Sequence, residues 1–368
     1  LKGSGKQHFW PTRLREGSMN LDVQARLDLQ RAFWQRKNHD RPVIGFTGTY
    51  FSTDTVRLIG REQGRVNPED IVVERILDYA DAQFEAWRDC TGDLFWTATQ
   101  LYQFRWLAAA AGAPVFAGGD SVWAEPFIKD YAELDQVAFS EENEWVGKLW
   151  QLTDALVERA GGRYPVAANE FMSPLSALVD LRGNTAFAFD LYDRPEEVKR
   201  GLIKFTGVWS AFVRNQYRRI PDWHGGYTSA QRILWAPGRT IEFSEDPAFM
   251  LSPRFHEEIV MPSHREIVRQ VEYPYIHLHS TQLHTLDRLL EMEELPAIEL
   301  TPDHGASIRD LIPTIARIQA RKPVMVHAFF TAEEMRMIVE RVPPEGLCVI
   351  GRAETPAEAR RLREEVMG

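Results

Sequence analysis

The stretch 273–301 carries the residues best suited to chemistry. It reads YPYIHLHST, then a short amphipathic helix, then PAIELTPD, and the later run KPVMVHAFF repeats the strand-like pattern. Side chains alternate faces along a strand, so His277 and His279 must point the same way. Two imidazoles on one strand face can bind a single divalent metal ion. An H-x-H pair also fits histidines that are merely hydrogen-bonded at the rim of a fold.

Glu299 and His327 stand near the ends of the next two strand-like runs. If these runs are neighbouring parallel strands, they deliver His277, His279, Glu299 and His327 to one mouth as a nitrogen and oxygen ligand set for zinc. Without a metal the same residues suit acid–base work, because a histidine near a buried glutamate can be tuned toward neutral pH. Glu299, His327 and Asp303 are then the catalytic candidates, although Asp303 also fits a solvated loop ending in glycine.

Further candidates would bind a substrate. Asn169 and Glu170 end a strand-like run, and Arg352 ends the last one, which favours anion binding there. Arg239, just before a strand, fits either a surface arginine or an anion clamp. The tryptophans are confined to the first 235 residues, so aromatics either fill the core or form a lid over a pocket. The aromatic candidates are Trp96, Trp235 and Tyr50.

These residues require a scaffold of alternating strands and helices. Strands near 274–279, 296–301, 323–328 and 347–352 alternate with helices near 283–292, 307–320, 331–341 and 356–366. Capping boxes at Thr331 and Thr355 begin two of these helices. Such alternation implies a parallel sheet. Strands near 43, 93, 165 and 241 bring the number to eight, which predicts an α/β fold of the (β/α)8 TIM-barrel type.

The remaining segments are assigned around that barrel. Residues 19–38 are expected to form a first helix, and DRPEE is expected to begin a long helix with Asp193 as its N-cap. Residues 98–163 are expected to form an insertion after the second strand, as a lid or dimer surface. Residues 1–18 are typical of an expression-tag remnant, which makes Met19 the expected native start and 19–368 a single domain.

Bulk composition excludes several classes of protein. A net charge of −10 argues against nonspecific binding to nucleic acid or to an anionic membrane. Cys90 and Cys348 are far apart and imply no disulfide framework, so a reducing cytoplasm is the expected location. No run of about 18 apolar residues occurs. Neither GxGxxG nor GxxxxGK[ST] is present, which disfavours nicotinamide and nucleotide cofactors.

Two longer stretches resemble the uroporphyrinogen decarboxylase superfamily. LVDLRGNTAFAFDLYDRPEEVKRGL is similar to the superfamily's leader and "DLYD-P-E-V" helix, and SEDPAFMLSPRFHEEIVMPSHREI is similar to its "SP-x-x-F-x-E-F" segment. The HLHS strand falls where many members have a histidine. The resemblance covers about residues 160–355 well and 19–160 loosely. It implies a β/α barrel.

The resemblance implies two activities, metal-free decarboxylation of uroporphyrinogen or zinc-dependent methyl transfer with corrinoid proteins or thiols. The decarboxylase's early arginine-rich segment is missing, because TGTYFSTDT follows the first strand and no arginine precedes Arg57 there. The methyltransferases' H-x-C is H-x-H here. The leading hypothesis is therefore zinc-dependent methyl transfer, or demethylation of a small methylated substrate, with a corrinoid protein as partner or a thiol as acceptor. Homodimers are common in such barrels.

Two alternatives remain open from the sequence. One is a metal-free carboxy-lyase that acts on a small or tetrapyrrole carboxylate and holds the anion with Arg239 or Arg352. The other is a barrel that binds a ligand without catalysis. The three hypotheses differ in metal content, in release of carbon dioxide, and in whether a ligand shifts the melting temperature without turnover.

Overall fold

A computed structural model describes residues 23–48, 52–61, 63–119 and 121–367. The expected tag remnant at 1–18, the expected start at Met19 and the pocket candidate Tyr50 lie outside the described residues. In the part that is described, no helix is both long and apolar enough to cross a membrane.

A parallel sheet of six strands organises the described chain, in the order β1-β11-β10-β9-β8-β7. These strands are nearly continuous apolar runs, as expected for strands covered on both faces. Their bounds agree with the predicted ones to within one or two residues: β1 (Val43–Gly48), β7 (Thr240–Ser244), β8 (Tyr273–His279), β9 (Ala297–Thr301), β10 (Val324–Ala328) and β11 (Leu347–Ala353).

Among the residues that the structure describes, five short strands stand outside this sheet and pair antiparallel. One small sheet has the order β2-β3-β4, and a second consists of β5 and β6. Part of the predicted insertion at 98–163 therefore folds as a hairpin against a strand that precedes it in the chain. The strands are β2 (Gln63–Val66), β3 (Val115–Gly118), β4 (Ser121–Ala124), β5 (Tyr227–Thr228) and β6 (Trp235–Ala236).

The helices follow the predicted alternation most closely after β8. Thr331 caps α13 with the expected capping box. The helices are α1 (Val23–Trp34), α2 (Ser52–Ile59), α3 (Val73–Trp87), α4 (Trp106–Ala110), α5 (Glu144–Ala160), α6 (Pro174–Arg182), α7 (Asn184–Asp193), α8 (Pro195–Tyr217), α9 (Pro253–Phe255), α10 (Met261–Ile267), α11 (Leu286–Glu291), α12 (Ile308–Gln319), α13 (Ala332–Arg341) and α14 (Pro356–Met367).

One predicted helix boundary was wrong. Asp193 is the last residue of α7, and the N-cap of α8 is Arg194, whose side chain makes no capping hydrogen bond. Pro195 at the first position of α8 accounts for the break, since proline disfavours helical backbone at the residue before it and is tolerated at a helix start.

Two of the eight predicted strands do not form ladders in the described chain. The segments near 93 and 165 meet only at an isolated parallel bridge between Ala98 and Val166, and Gly92 makes one bridge to Gly45 of β1. The structure thus has a six-stranded parallel sheet, and these pairings do not show closure into a barrel. The coarser prediction of an α/β fold with a parallel sheet is confirmed.

The turn at Gly92 explains why the second predicted strand does not form. Gly92 has a left-handed backbone with φ of 65°, and a Cβ there would lie 2.6 Å from the carbonyl oxygen of Ile44. The next residue, Asp93, is fully buried and accepts hydrogen bonds from Arg41 and from the Ile44 amide. The segment is therefore fixed against β1 by a turn and by an ion pair whose carboxylate is buried.

The inner face of the sheet holds a small apolar core below the predicted site. Alternate positions on the strands contribute Tyr275, Ala297, Met325 and Cys348 to this cluster. Burial raises the pKa of Cys348 well above the usual thiol value, which fits a packed core thiol. The same alternation carries His277, Glu299 and His327 one step further along β8, β9 and β10 on the same face.

Candidate active site

His277 and Glu299 lie side by side on the inner face of the sheet. They are direct register partners on β8 and β9. His277 Nδ1 is hydrogen-bonded to Glu299 Oε2, and the other carboxylate oxygen accepts from Thr301 at 2.7 Å. Burial lowers the pKa of His277, but Glu299 more than offsets it, so the net pKa is raised. The pair therefore favours an ionised Glu299 carboxylate beside the His277 imidazole.

A second carboxylate holds His279 in the same way. His279 Nδ1 lies 2.7 Å from Asp303 Oδ1, and Asp303 also accepts from the Ser280 hydroxyl and the Thr281 amide. Burial raises the pKa of Asp303, but these hydrogen bonds hold it below its ordinary value. Asp303 is thus an anchored anion, not a freely solvated loop residue.

With both Nδ1 atoms engaged, the two imidazoles turn their Nε2 atoms toward each other. His277 Nε2 and His279 Nε2 are 3.1 Å apart. Two nitrogens on one tetrahedral zinc ion, at about 2.0–2.1 Å from it, would be separated by about 3.3 Å. Each histidine is also held by a carboxylate on its other nitrogen, as is usual around metal-binding histidines. The donor geometry therefore fits a divalent metal ion.

Asp246 places a carboxylate, a third potential ligand, near these two nitrogen atoms. One ligand atom from each of Asp246, His277 and His279 can be chosen so that all lie within 4.8 Å of one another. Asp246 follows β7, and its neighbour Glu245 is fixed by His264 at 2.9 Å and, through its carbonyl oxygen, by Gln282 at 2.7 Å. The loop that carries Asp246 is therefore held in place although Asp246 is itself exposed.

The predicted ligand set is only partly assembled. His277 and His279 lie together as expected. Glu299 contacts Nδ1 of His277, which points away from the two Nε2 atoms. His327 Nε2 lies 3.1 Å from Thr47 Oγ1 on β1. Burial and the charge of Arg232 lower the pKa of His327 well below the usual value. His327 is therefore a neutral imidazole on the inner face, hydrogen-bonded across the sheet.

Arg232, like Asp246, is a residue that sequence reasoning missed. Its guanidinium is buried and lies 3.0 Å from Glu299 Oε2, 3.5 Å from Glu242 Oε1 and 2.8 Å from His277 Nδ1. Arg232 and His277 together hold the pKa of Glu299 well below its usual range, against the raising effect of burial. Arg232 precedes an ordinary apolar run, ILWA, and its sequence neighbourhood gives no sign of burial.

The predicted substrate-binding residues fall into different environments. Trp96 lines a cavity of about 250 Å³ together with Thr47. Asn169 is buried and donates its backbone amide to Gln216. Arg352 lies at the carboxyl end of β11, with its guanidinium over the Phe329 ring at 4.6 Å, and makes no ion pair with any described carboxylate.

Two predicted pocket residues lie away from this cluster. Arg239 precedes β7, at the opposite end of the strand, and pairs with Glu272 at 2.7 Å on the surface. Trp235 is fully buried, and its indole nitrogen donates to the carbonyl oxygen of Trp223. Arg239 lies away from the cluster because it precedes its strand, whereas the cluster lies at the carboxyl ends of the strands. Trp235 is buried because it packs in the core.

Comparison with known proteins defines the fold class. The structure is similar to a methyltransferase from Methanosarcina mazei, with a TM-score of 0.63, 14% sequence identity, and coverage of 94% of this chain and 96% of that one. A B12-independent methionine synthase from Shewanella sp. W3-18-1, in complex with selenomethionine, overlaps less, with a TM-score of 0.39, 12% identity, and coverage of 59% and 64%.

At such low identity the first similarity shows a shared fold alone, and the second overlap is too small to carry an argument. No protein-family model matches the chain, and no curated protein matches its sequence. The chain is therefore an α/β protein that shares the fold of a methyltransferase, with a histidine and carboxylate cluster at the carboxyl ends of its strands.

Proposed function

We propose that the chain is an enzyme that transfers the methyl group of a small methylated substrate, with zinc held by His277, His279 and Asp246. The observation that carries the proposal is the pair of Nε2 atoms 3.1 Å apart, each on an imidazole whose Nδ1 is held by a carboxylate. The shared fold with a methyltransferase supports the reaction class by analogy only.

The residues of the chain would act by position and charge. Glu299 and Asp303 keep both histidines in the tautomer that exposes Nε2. Arg232 balances Glu299, which keeps a buried carboxylate ionised beside His277. Zinc bound there would supply Lewis acidity, either to the heteroatom that carries the methyl group or to a thiol acceptor. A thiol, or a corrinoid on a partner protein, is the proposed methyl acceptor.

The first experiment is elemental analysis of protein purified without chelator. We expect about one zinc per chain, and its loss in the His277→Ala, His279→Ala double variant. A matched control is the His39→Ala, His224→Ala double variant, which removes two histidines away from the site. Zinc that persists in the first variant, or that disappears equally from the control, contradicts the assigned centre.

A carboxy-lyase is the second candidate, and one observation favours it. Arg352 lies next to the last residue of β11 at the carboxyl edge of the sheet, and none of the described carboxylates pairs with it, so it is available for an anionic substrate. Metal-free protein that releases carbon dioxide from a small carboxylate, and loses this activity in Arg352→Gln, would support the lyase over methyl transfer.

A further inference from the structure

Four arginine side chains line a cavity of about 220 Å³ that lies between α1, α14 and the turn after α3. No residue of the histidine and carboxylate cluster lines it. The charged lining residues are Arg26, Arg88, Arg163, Arg363 and, as the one carboxylate among the described residues, Asp89. The net charge of the whole chain is −10, so this concentration of positive charge is local. A concave surface of one sign attracts ligands of the opposite sign, here anions.

Two of these arginines already have partners, and two do not. Arg88 and Arg163 form ion pairs with carboxylates of α3, at 3.2 Å and 2.7 Å. Arg26 and Arg363 form no ion pair with any described carboxylate. Arg26 donates to the Thr91 hydroxyl at 3.1 Å, and Arg363 donates to a backbone carbonyl oxygen at 3.5 Å. Neutral acceptors leave both guanidinium charges uncompensated.

The environment of Arg26 and Arg363 makes this imbalance costly. Both residues are half-buried, so water screens their charges incompletely. Burial is the main cause that lowers the pKa of Arg26 to about 10; Arg363 lowers it further, whereas Asp93 and Asp89 raise it. Nε of Arg26 is also buried without a hydrogen-bond partner among the described residues. An anion bound between the two guanidinium groups would be stabilised by both of them.

Aromatic rings supply the apolar part of the cavity lining. The Arg26 guanidinium carbon lies 4.0 Å from the centroid of the Phe95 ring, and Phe95 packs edge-on against Trp223 at 4.8 Å. Phe84 and Tyr164 line another part of the cavity, with their ring centroids 4.8 Å apart. Sites for small organic molecules combine such aromatic surface with a few placed charges. The cavity therefore suits a ligand with an apolar body and one anionic end.

We propose that this cavity binds a phosphate monoester with a flat apolar body, and that Arg26 and Arg363 hold its phosphate group. A phosphate monoester carries about −1.5 to −2 charges near neutral pH, which matches two unpaired guanidinium groups, whereas a monocarboxylate balances only one. Each planar guanidinium can donate two parallel N–H bonds to such an oxyanion. The Arg88 and Asp89 side chains are 50% and 63% exposed, so the cavity is open to solvent on their side.

Phenyl phosphate is the probe, because it combines the charge and the ring. Isothermal titration calorimetry of the full chain at low ionic strength should show one saturable site per chain. Phenyl phosphate should bind at least about tenfold more tightly than inorganic phosphate, because its ring is removed from water. Benzoate has the same ring with a single charge and should bind at least about tenfold more weakly than phenyl phosphate.

Two variants test the assigned arginines. Arg26→Met and Arg363→Met should each weaken the binding of phenyl phosphate by about tenfold or more, as expected for loss of a charge-assisted hydrogen bond. Arg26→Met also removes the contact with Phe95, whereas Arg363 makes only a long hydrogen bond, at 3.5 Å. Arg363→Met therefore separates binding from folding. Arg254→Met removes an exposed arginine that pairs with Glu258 at 2.9 Å, and this matched control should bind the probe like the wild type.

Three results would overturn the proposal: no saturable binding of phenyl phosphate, equal binding by the wild type and both variants, or benzoate binding as tightly as phenyl phosphate. Arg352→Gln and the His277→Ala, His279→Ala double variant report binding at the carboxyl ends of the strands instead. Both should bind phenyl phosphate like the wild type, and a loss of binding in either would equally refute the assignment. None of these measurements depends on whether the chain transfers methyl groups.

Discussion

Replacing Arg232 by methionine tests the electrostatic organisation of the inner face. The Arg232 and Glu299 side chains are 2% and 0% exposed, and their charged atoms are 3.0 Å apart. Glu242 is the second carboxylate, at 3.5 Å. With an effective dielectric constant of about 20, each attraction is worth about 5 kcal/mol before desolvation is subtracted. Methionine fills much of the same volume but leaves both carboxylates without their cation.

We expect Arg232→Met to lower the free energy of unfolding by about 3–5 kcal/mol, because removing one partner leaves an uncompensated buried charge. That loss is a large part of a typical total of about 5–15 kcal/mol. The assay is equilibrium unfolding in urea, followed by tryptophan fluorescence and circular dichroism, with unchanged m-values required for the comparison. Glu299→Gln in the Arg232→Met background should recover part of the loss.

Arg239→Met is the matched control. Arg239 and Glu272 form an ion pair at 2.7 Å, but the side chains are 41% and 50% exposed. Surface pairs of this kind contribute about 0–1 kcal/mol. If Arg232→Met costs no more than Arg239→Met, the guanidinium does not hold the buried carboxylates in place, and the reasoning about Glu299 and Glu242 is refuted.

Three further predictions concern the fold and the metal. Asp93→Ala should lower the free energy of unfolding by about 3 kcal/mol in urea titrations, because it leaves the partly buried Arg41 guanidinium and the Ile44 amide without their acceptor; a loss below about 1 kcal/mol would contradict this account. Gly92→Ala should cost about 2–4 kcal/mol by the same assay, from left-handed backbone strain plus overpacking, whereas Gly119→Ala, with open space around it, should show only the strain. Zinc at 100 times its dissociation constant should raise the free energy of unfolding by about 2.7 kcal/mol, and an equal rise in the His277→Ala, His279→Ala variant would argue for binding elsewhere.

The parallel sheet after residue 240 could be predicted because its signals are local. Apolar runs end in turn residues, and helices between them begin with capping boxes such as Thr331 to Glu334. The strand near 93 could not be excluded in the same way. DLFWT has the composition of a strand, and only the tertiary contacts of Gly92 and Asp93 with β1 show that it follows a turn.

The candidate site was predictable to the extent that it follows from strand alternation. Alternation places His277 and His279 on one face, and the register of β8 and β9 places Glu299 beside His277. Which nitrogen each carboxylate contacts depends on side-chain rotamers, which a sequence pattern does not specify. Arg232 reaches the cluster from the loop before β6, and Asp246 from the first residue of a short 3-10 helix after β7, where no strand periodicity applies.

The incomplete pairing between β1 and the segment that follows Gly92 has a practical meaning for altering this protein. The cavity of about 250 Å³ is lined by Thr47, whose hydroxyl lies 3.1 Å from His327 Nε2, and by Gln83 and Trp87 of α3. Substitutions at Gln83 or Trp87 would therefore change the volume beside the end of β1 while every residue of the histidine and carboxylate cluster stays unchanged. The space next to the candidate site can thus be altered from the helical layer.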